Sequence, residues 1–348
     1  MPKSLLRKSL QGYLPYVPGE QPPDGEGWVK LNTNESPVPP SPRVIQAIKD
    51  AANDGLRLYP SPTAAPAREA IARKFGLDPR QVSVGNGGDE LIELCFRAFA
   101  GAGDRVAFPT PTYPLLEPLC RIHEAIASPH PTELAWELPH SLGPDPSPLK
   151  FVVNPNSPTG ALFDFDSIEA VVSASSGVVA IDEAYVDFAP RSAISLIHHH
   201  DNVVLLRTFS KSYGLAGLRI GFALGPPPVI EAIDSVKDSY NVDRLAIVAA
   251  AAAIQDEAHH QRLVTEVVNN RAELSSELRG RGFEVVPSST NFVFTRPPRP
   301  AAEVMAALRE RRILVRHYDR EPIAGWLRIT IGTREQHEKL LTALKEIL

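Results

Sequence analysis

Cysteine is nearly missing from this chain of 348 residues: only Cys95 and Cys120 occur, each inside an apolar stretch (LIELCFRAF and YPLLEPLCRI). Two such thiols are expected to be buried and reduced, which excludes a disulfide framework and a cysteine-based metal site. Nowhere do about eighteen apolar residues run uninterrupted, so no membrane-spanning helix is expected. The basic N-terminal MPKSLLRKSLQGYLPY lacks the apolar core of a secretion signal, and a cytoplasmic location is the default. There is no block of Lys or Arg, and the formal net charge is -5, which argues against nucleic acid or an anionic membrane as the main partner. Neither a Walker loop nor GxGxxG occurs, so a plain nucleotide-binding module is disfavoured. Small molecules remain as the ligands to consider.

What is present is an ordinary globular composition, 43% hydrophobic and 22% charged, enough for one large domain and a smaller one. The 34 prolines are about twice the usual frequency. They gather in apparent connections such as SPVPPSP, FPTPTYPLLEP and RPPRP, where they stiffen loops and do not signal disorder.

Short β-like runs alternate with helical ones. Ser41-Pro42 is an N-cap followed by proline at the first helical position, with Val44, Ile45 and Ile48 at helical spacing. A second helix is expected over Pro66 to Phe75, stopping at Gly76. Then come strand-like Val82 to Val84, a helix from Asp89 to Ala100, strand-like RVAF and an apolar helix after Tyr113. KFVV, a helix near Phe165 to Val172, GVVAID, NVVLLRT and LRIGFAL follow. Apolar runs bounded by glycine, asparagine or proline and separated by helices are what a mostly parallel sheet covered on both faces requires, so the fold class is α/β.

After about Gln255 the texture changes. A long polar helix, roughly Glu257 to Arg279, precedes strands near Phe283 to Val286 and Asn291 to Phe294, a helix over Ala301 to Arg311, strands ILVR and LRITI, and a last helix from Glu335. The chain reads as an N-terminal segment (residues 1–40) joining the smaller unit, a large domain (41–255) and a small C-terminal α+β domain (256–348).

Three stretches carry chemistry. In GVVAIDEAYVDF, an apolar run delivers Asp182 to the carboxyl end of a buried strand, where ligands bind in open α/β sheets. A carboxylate there is costly unless a cation meets it. A protonated pyridine nitrogen would serve; a helix cap or a structural ion pair is the alternative. In RTFSKSYGLAGLRIGF, a strand leads into a loop with Ser210, Lys211, Ser212 and Tyr213, then glycines and Arg219. Alone, Lys211 reads as solvated surface. With Arg219 it offers a guanidinium fork for phosphate and an amine able to condense with an aldehyde. In SVGNGGDELIEL, a strand ends in Gly85-Asn86-Gly87-Gly88 and a helix begins at about Asp89, so backbone amides make a phosphate cradle. Tyr113 in FPTPTYP is placed either to lie flat on a planar ring or simply to pack. His198, His199 and His200 occupy an apparent loop with no carboxylate at ligand spacing; they read as solvated surface, and no metal is expected.

Taken jointly and in this order, these pieces resemble the fold-type I, pyridoxal-phosphate-dependent aminotransferases of class II, most closely the histidinol-phosphate aminotransferase branch. The resemblance covers nearly the whole chain: LNTNESP (Leu31 to Pro37), LRLYP ending at Pro60, GNGGDE, PTY (Pro111 to Tyr113), NPNSPTG (Asn154 to Gly160), DEAYVDF, RTFSKSYGLAGLRIGF, TNFVF and LRITIGT. It implies a pyridoxal 5'-phosphate cofactor carried on Lys211, whose amine also moves a proton at the substrate Cα. It implies Asp182 on the pyridine nitrogen, Tyr185 on the ring hydroxyl and Tyr113 stacked on the ring. Gly87, Gly88, Asp89, Thr208, Ser210 and Arg219 would surround the phosphate. It further implies a homodimer in which Tyr59 reaches the neighbouring subunit's site. Arg328 would take the substrate carboxylate, Arg316 would add a second anion contact, and Tyr16 would sit on an N-terminal segment that closes over the substrate.

One departure matters. The family usually has asparagine immediately before Pro-Thr-Gly, donating to the ring hydroxyl; here Ser157 stands there, preceded by Asn156. The shorter hydroxyl is expected to alter the cofactor's electronics without loss of activity, because Asp182, Tyr185 and Lys211 remain. NGGDE also carries Gly88 where a side chain is more usual, which leaves the backbone cradle intact.

The implied reaction moves the amino group of L-histidinol phosphate to 2-oxoglutarate, giving imidazole acetol phosphate and L-glutamate, a step of histidine biosynthesis. The same scaffold hosts aromatic and other amino-acid aminotransferases, and a related branch decarboxylates threonine phosphate with the same lysine and aspartate. Motifs leave open which bond breaks. A regulatory protein on this scaffold is disfavoured, since the resemblance begins within the first forty residues and leaves no room for a DNA-binding domain.

Overall fold

A computed structural model describes residues 5–23, 26–132 and 136–348; Met1 to Ser4 of the basic N-terminal stretch lie outside the described residues. The N-terminal segment leads to β1 (Val29–Lys30), followed by α1 (Pro42–Ala51), α2 (Ala65–Phe75), β2 (Val82–Gly85), α3 (Gly87–Phe99), β3 (Arg105–Thr110), α4 (Leu116–Ile122) and β4 (Ile126–Pro131). Next come β5 (Leu149–Val153), α5 (Phe165–Ala174), β6 (Val178–Asp182), β7 (Val203–Thr208), β8 (Gly221–Leu224), α6 (Pro227–Val236), α7 (Arg244–Gln255) and α8 (Glu257–Arg279). The chain ends with β9 (Glu284–Val285), β10 (Phe292–Arg296), α9 (Ala301–Glu310), β11 (Ile313–Leu314), β12 (Arg316–His317), β13 (Leu327–Thr330) and α10 (Arg334–Ile347).

Seven strands form one sheet in the order β2-β8-β7-β6-β5-β3-β4. β8 runs antiparallel to both its neighbours and the other pairings are parallel. This is the α/β class that the sequence pattern indicates. β5, β6 and β7 are mostly apolar and buried because both faces are covered: Val179 and Ile181 join the core under α1, α2, α5 and α7, while Ala180 joins the core with Leu91, Phe96 and Ile230. Behind the carboxyl ends of β6 and β7, Arg207 is buried against Glu183 at 2.8 Å, and Glu183 also accepts from Ser192 and the Ala193 N–H. That pairing fixes the two strand ends relative to each other, and removing one partner from such a buried pair costs about 3–5 kcal/mol.

A second, antiparallel sheet has the order β12-β13-β10-β9, and β1 pairs in parallel with β11, which ties the N-terminal segment to the C-terminal part. α8 buries Leu263, Val267, Leu274 and Leu278, residues spaced to lie along one stripe, against Phe292, Ile329 and Leu340. Its N-cap, Asp256, accepts from the His259 N–H. Among the described residues no helix is long and apolar enough to cross a membrane.

The elements depart from the sequence reading in several places; β1 and α6, for example, are absent from it. The helix expected from Asp89 begins earlier, at Gly87, whose φ of +85° turns the chain out of β2. The strand β4, with prolines at 129 and 131, escapes the pattern; it is tolerated because it lies at the sheet edge beside β3. ILVR is two strands, since Ile313 and Leu314 pair with β1 while Arg316 pairs with β13.

Candidate active site

A cavity of about 460 Å³ opens at the carboxyl ends of β5, β6 and β7, between the seven-stranded sheet and the β12-β13 edge of the second sheet. The polar residues that line it come from both sides, Asp182, Ser157 and Lys211 from one and Arg316 and Arg328 from the other.

Asp182 is the last residue of β6 and only 9% exposed. Its carboxylate accepts from the Ala184 N–H at 2.9 Å. Burial pushes its pKa up to about 7, with the nearby charge of Asp89 adding to the rise and that of Lys211 opposing it. Lys211 follows β7. Burial first, and then the charge of Arg328, pull its amine down to about 8. About a tenth of it is therefore a neutral nucleophile at pH 7, far more than for an ordinary lysine. Its Nζ lies 5.7 Å from the centroid of the Tyr185 ring.

One end of the cavity is built for an anion. Gly88 and Asp89 stand in the first turn of α3, where backbone amides lack helical partners, and a Cβ on Gly88 would meet nothing within 4 Å. Gly87 has a positive φ that strains any other residue, and a Cβ there would come within 2.7 Å of Arg219 Nη2 and push that guanidinium aside. Thr208 Oγ1 donates to Ser210 Oγ at 3.0 Å, and Arg219 reaches Ser210 Oγ at 3.5 Å and Asp89 at 3.4 Å. The Arg219 backbone is left-handed, φ +49°, a conformation that costs a side-chain-bearing residue about 1 kcal/mol and is held by its surroundings. Since both partners of the Arg219–Asp89 pair are about half exposed, the pair is weak and the guanidinium remains available to a phosphate. Tyr113 lines the same end and donates from its hydroxyl to Asp89 at 3.0 Å.

At the opposite end, Arg316 and Arg328 are directly opposed across β12 and β13, which puts both guanidinium groups on one face of the sheet. Arg328 Nη2 donates to the Asn32 carbonyl at 2.9 Å, while its buried Nε has no hydrogen-bond partner among the described residues. Arg316 donates to the carbonyls of Val17 and Pro18 at 2.8 and 3.3 Å, holding the N-terminal segment across the opening. Tyr16 on that segment lies 6.1 Å from the Tyr113 ring, and burial raises its pKa.

Most of the residues singled out in the sequence therefore meet in one place: Tyr16, Gly88, Asp89, Tyr113, Ser157, Asp182, Tyr185, Thr208, Ser210, Lys211, Arg219, Arg316 and Arg328 all line the cavity. Tyr59 is not brought to it. It is 79% exposed on the surface and stacks on Tyr240 with ring centroids 4.4 Å apart. His200 faces a carboxylate that local spacing concealed, Glu169 at 3.7 Å. The sequence reading gave no role to Asn34, which donates from Nδ2 to the Tyr185 hydroxyl at 2.9 Å. It lies within the quoted LNTNESP, but its partners are 151 and 296 residues away, so no local pattern marks them.

The residues present fit pyridoxal phosphate. Asp182 is a buried carboxyl that lacks a cationic partner in its own hydrogen bonding, which a protonated ring nitrogen would supply. Ser157 Oγ is buried without a hydrogen-bond partner, and the amide cradle, Arg219 and two hydroxyls converge as a phosphate requires.

Comparison with known proteins agrees with this geometry. The family described as aminotransferase class I and II matches residues 26–344. A protein of Aromatoleum aromaticum named histidinol-phosphate aminotransferase is 46% identical, over 97% of this chain and 98% of its own. One of the same name from Acetobacter pasteurianus is also 46% identical, over 96% of this chain and 95% of its own. The crystal structure of histidinol-phosphate aminotransferase from Sinorhizobium meliloti in complex with pyridoxal-5'-phosphate superposes with a TM-score of 0.86 at 28% identity, covering 91% of this chain and 90% of that one.

Proposed function

This chain belongs to the class I and II aminotransferases, enzymes that work with pyridoxal phosphate, and from that premise we propose that its amino donor is L-histidinol phosphate and its acceptor 2-oxoglutarate. The observation that carries the proposal is the opposed pair Arg316 and Arg328. Two like charges directly across a strand pair repel and favour an anion between them. A phosphate monoester in one half-reaction and a dicarboxylate in the other both present such an anion, whereas an aromatic amino acid offers a single carboxylate.

Pyridoxal phosphate, when bound, supplies an aldehyde for covalent linkage to an amine and a ring that withdraws electrons from the carbon bearing that amine. In this reading Lys211 would hold the cofactor and afterwards take the proton from the substrate Cα; its lowered pKa supports both tasks. Asp182 would keep a proton on the ring nitrogen. Tyr185 and Ser157 would serve the ring hydroxyl, and Tyr113 would cover the ring. The amides of Gly88 and Asp89 after the turn at Gly87, the hydroxyls of Thr208 and Ser210, and Arg219 bind the phosphate. Tyr16 and the N-terminal segment keep water out over the substrate.

The same proposal takes residues 41–255 as a cofactor-binding domain and 256–348 as a smaller domain joined by residues 1–40, a division supported by the seven-stranded sheet lying wholly in the first part and the four-stranded sheet wholly in the second. It makes the enzyme a cytoplasmic homodimer. The dimer is supported by exposed apolar surface: Tyr59 and Tyr240 lie beside Leu56 and Leu58, each 52% exposed. Tyr59 from one subunit would then complete the partner's site.

The substrate assignment is tested by titrating the cofactor-loaded protein with candidate amines and following the cofactor absorbance. Saturation by histidinol phosphate at far lower concentration than by phenylalanine or tyrosine is expected; the reverse order overturns the assignment. Carbon dioxide release from threonine phosphate without 2-oxoglutarate overturns transamination itself.

A further inference from the structure

Asn34 is 2% exposed and sits in the left-handed region, φ +56°, where asparagine is tolerated better than most residues. Every polar group it has is used. Its N–H donates to Thr330 Oγ1 at 3.0 Å, its carbonyl accepts from Asn291 Nδ2 at 2.9 Å, and its Oδ1 accepts from Thr330 Oγ1 at 3.1 Å. With the oxygen end engaged by Thr330, the amide nitrogen is the end that faces Tyr185, donating to the phenol oxygen at 2.9 Å.

That direction has a consequence for the phenol. Its oxygen accepts the Asn34 N–H, so its own proton is free for another acceptor, and accepting one hydrogen bond strengthens the one it donates. Tyr185 is buried, with its ring edge-on to Phe292 at 5.2 Å, so the hydroxyl has little freedom to turn elsewhere. Burial holds the Tyr185 phenol above its ordinary pKa, so it keeps its proton, and Ser157 Oγ meets no hydrogen-bond partner among the described residues. Both Ser157 and Tyr185 line the cavity.

We propose that Asn34 is a positioning residue: it fixes the Tyr185 hydroxyl as a hydrogen-bond donor toward the cofactor's ring oxygen, in a chain whose Ser157 is short for that task. The inference rests on the role given to Tyr185 above. Thr330 acts behind Asn34 by holding the amide in one orientation, and through β13 it links that orientation to the strand carrying Arg328.

A donor aimed at the ring oxygen stabilises its anionic form and keeps the cofactor's titration midpoint low. The test is therefore the absorbance of the cofactor-loaded protein against pH, without substrate. Asn34→Asp preserves size, tolerance of the left-handed backbone and the acceptor for Thr330, but presents an acceptor to Tyr185 and draws the phenol proton away from the ring. The midpoint is expected to rise by about half a pH unit or more. In a Tyr185→Phe background the same substitution should shift it by less than half as much, which separates the effect from the added charge. If Asn34→Asp does not fold, Thr330→Val carries the test, with a smaller rise expected because the amide loses its anchor. An unchanged midpoint in the folded variant, or an equal shift in the Tyr185→Phe background, overturns the inference. If Tyr185→Phe alone leaves the midpoint unmoved, the role of Tyr185 has failed instead.

Discussion

Replacing Asp182 by asparagine should make the cofactor-free protein more stable, and increasingly so as pH rises. The carboxyl sits at the end of β6, 9% exposed, with the Ala184 N–H as its hydrogen-bond donor. Its pKa rises from 3.8 to about 7, chiefly through burial. At about 1.4 kcal/mol per pH unit, that rise corresponds to about 4 kcal/mol lost from the folded state once the group is ionised. The native state binds the proton more tightly than the unfolded chain, so stability falls as pH rises from about 4 to about 7 and is flat beyond. Asparagine can keep the bond to Ala184 through Oδ1 and carries no charge. Its advantage over aspartate should therefore grow by about 2–3 kcal/mol between pH 5 and pH 8. Lys211 also titrates near the upper limit and is coupled to Asp182 through charge, so its titration cancels only in part and the slope below pH 7 carries the test. The measurement is chemical denaturation of both cofactor-free proteins at one protein concentration and at each pH. Parallel pH profiles, or a variant less stable than its parent at pH 8, would refute the argument that Asp182 is an unmet buried charge awaiting a cation. Adding pyridoxal phosphate should reverse the order, because then the carboxylate has its partner and the asparagine does not.

Lys150 in β5 is fully buried with no hydrogen-bond partner for its Nζ among the described residues, and burial lowers its pKa. Lys150→Met should therefore stabilise the fold by about 1–3 kcal/mol at pH 7. Because the unfolded lysine binds its proton more tightly, the parent's deficit should narrow as pH approaches 10.5, and a loss of stability at pH 7 would count against it. For the shared site, Lys211→Ala and Tyr59→Ala proteins, each impaired alone, should recover activity when mixed and allowed to exchange subunits. The ceiling is about a quarter of the parent's activity, since half the dimers are mixed and each holds one intact site; no recovery despite demonstrated exchange would remove Tyr59 from the neighbour's site.

Much of the fold was legible because its signals are local. An apolar run ending in Asp182, a serine cap with proline as the first residue of α1, and a glycine closing α2 each state their element within a few residues, so the α/β class follows from period and punctuation alone. Where a signal depended on neighbours it failed. β4 is a strand only because β3 offers it an edge, and its prolines conceal it. His200 looked unpartnered because Glu169 lies in another element.

The candidate site divides in the same way. The sequence by itself determined which chemical groups are present and in what order: the lysine after a strand, the aspartate ahead of it, the glycine turn before a helix and the arginine that follows. Only the tertiary structure decided their protonation and pairing. Lys211 is held near 8 by burial and by Arg328, a residue 117 positions later that belongs to another sheet. Arg316 and Arg328 become a pair through strand register, and Asn34 meets Tyr185 and Thr330 only when the N-terminal segment lies between the two sheets. A pKa and a hydrogen-bond direction belong to surroundings assembled from distant residues, and no local pattern encodes surroundings.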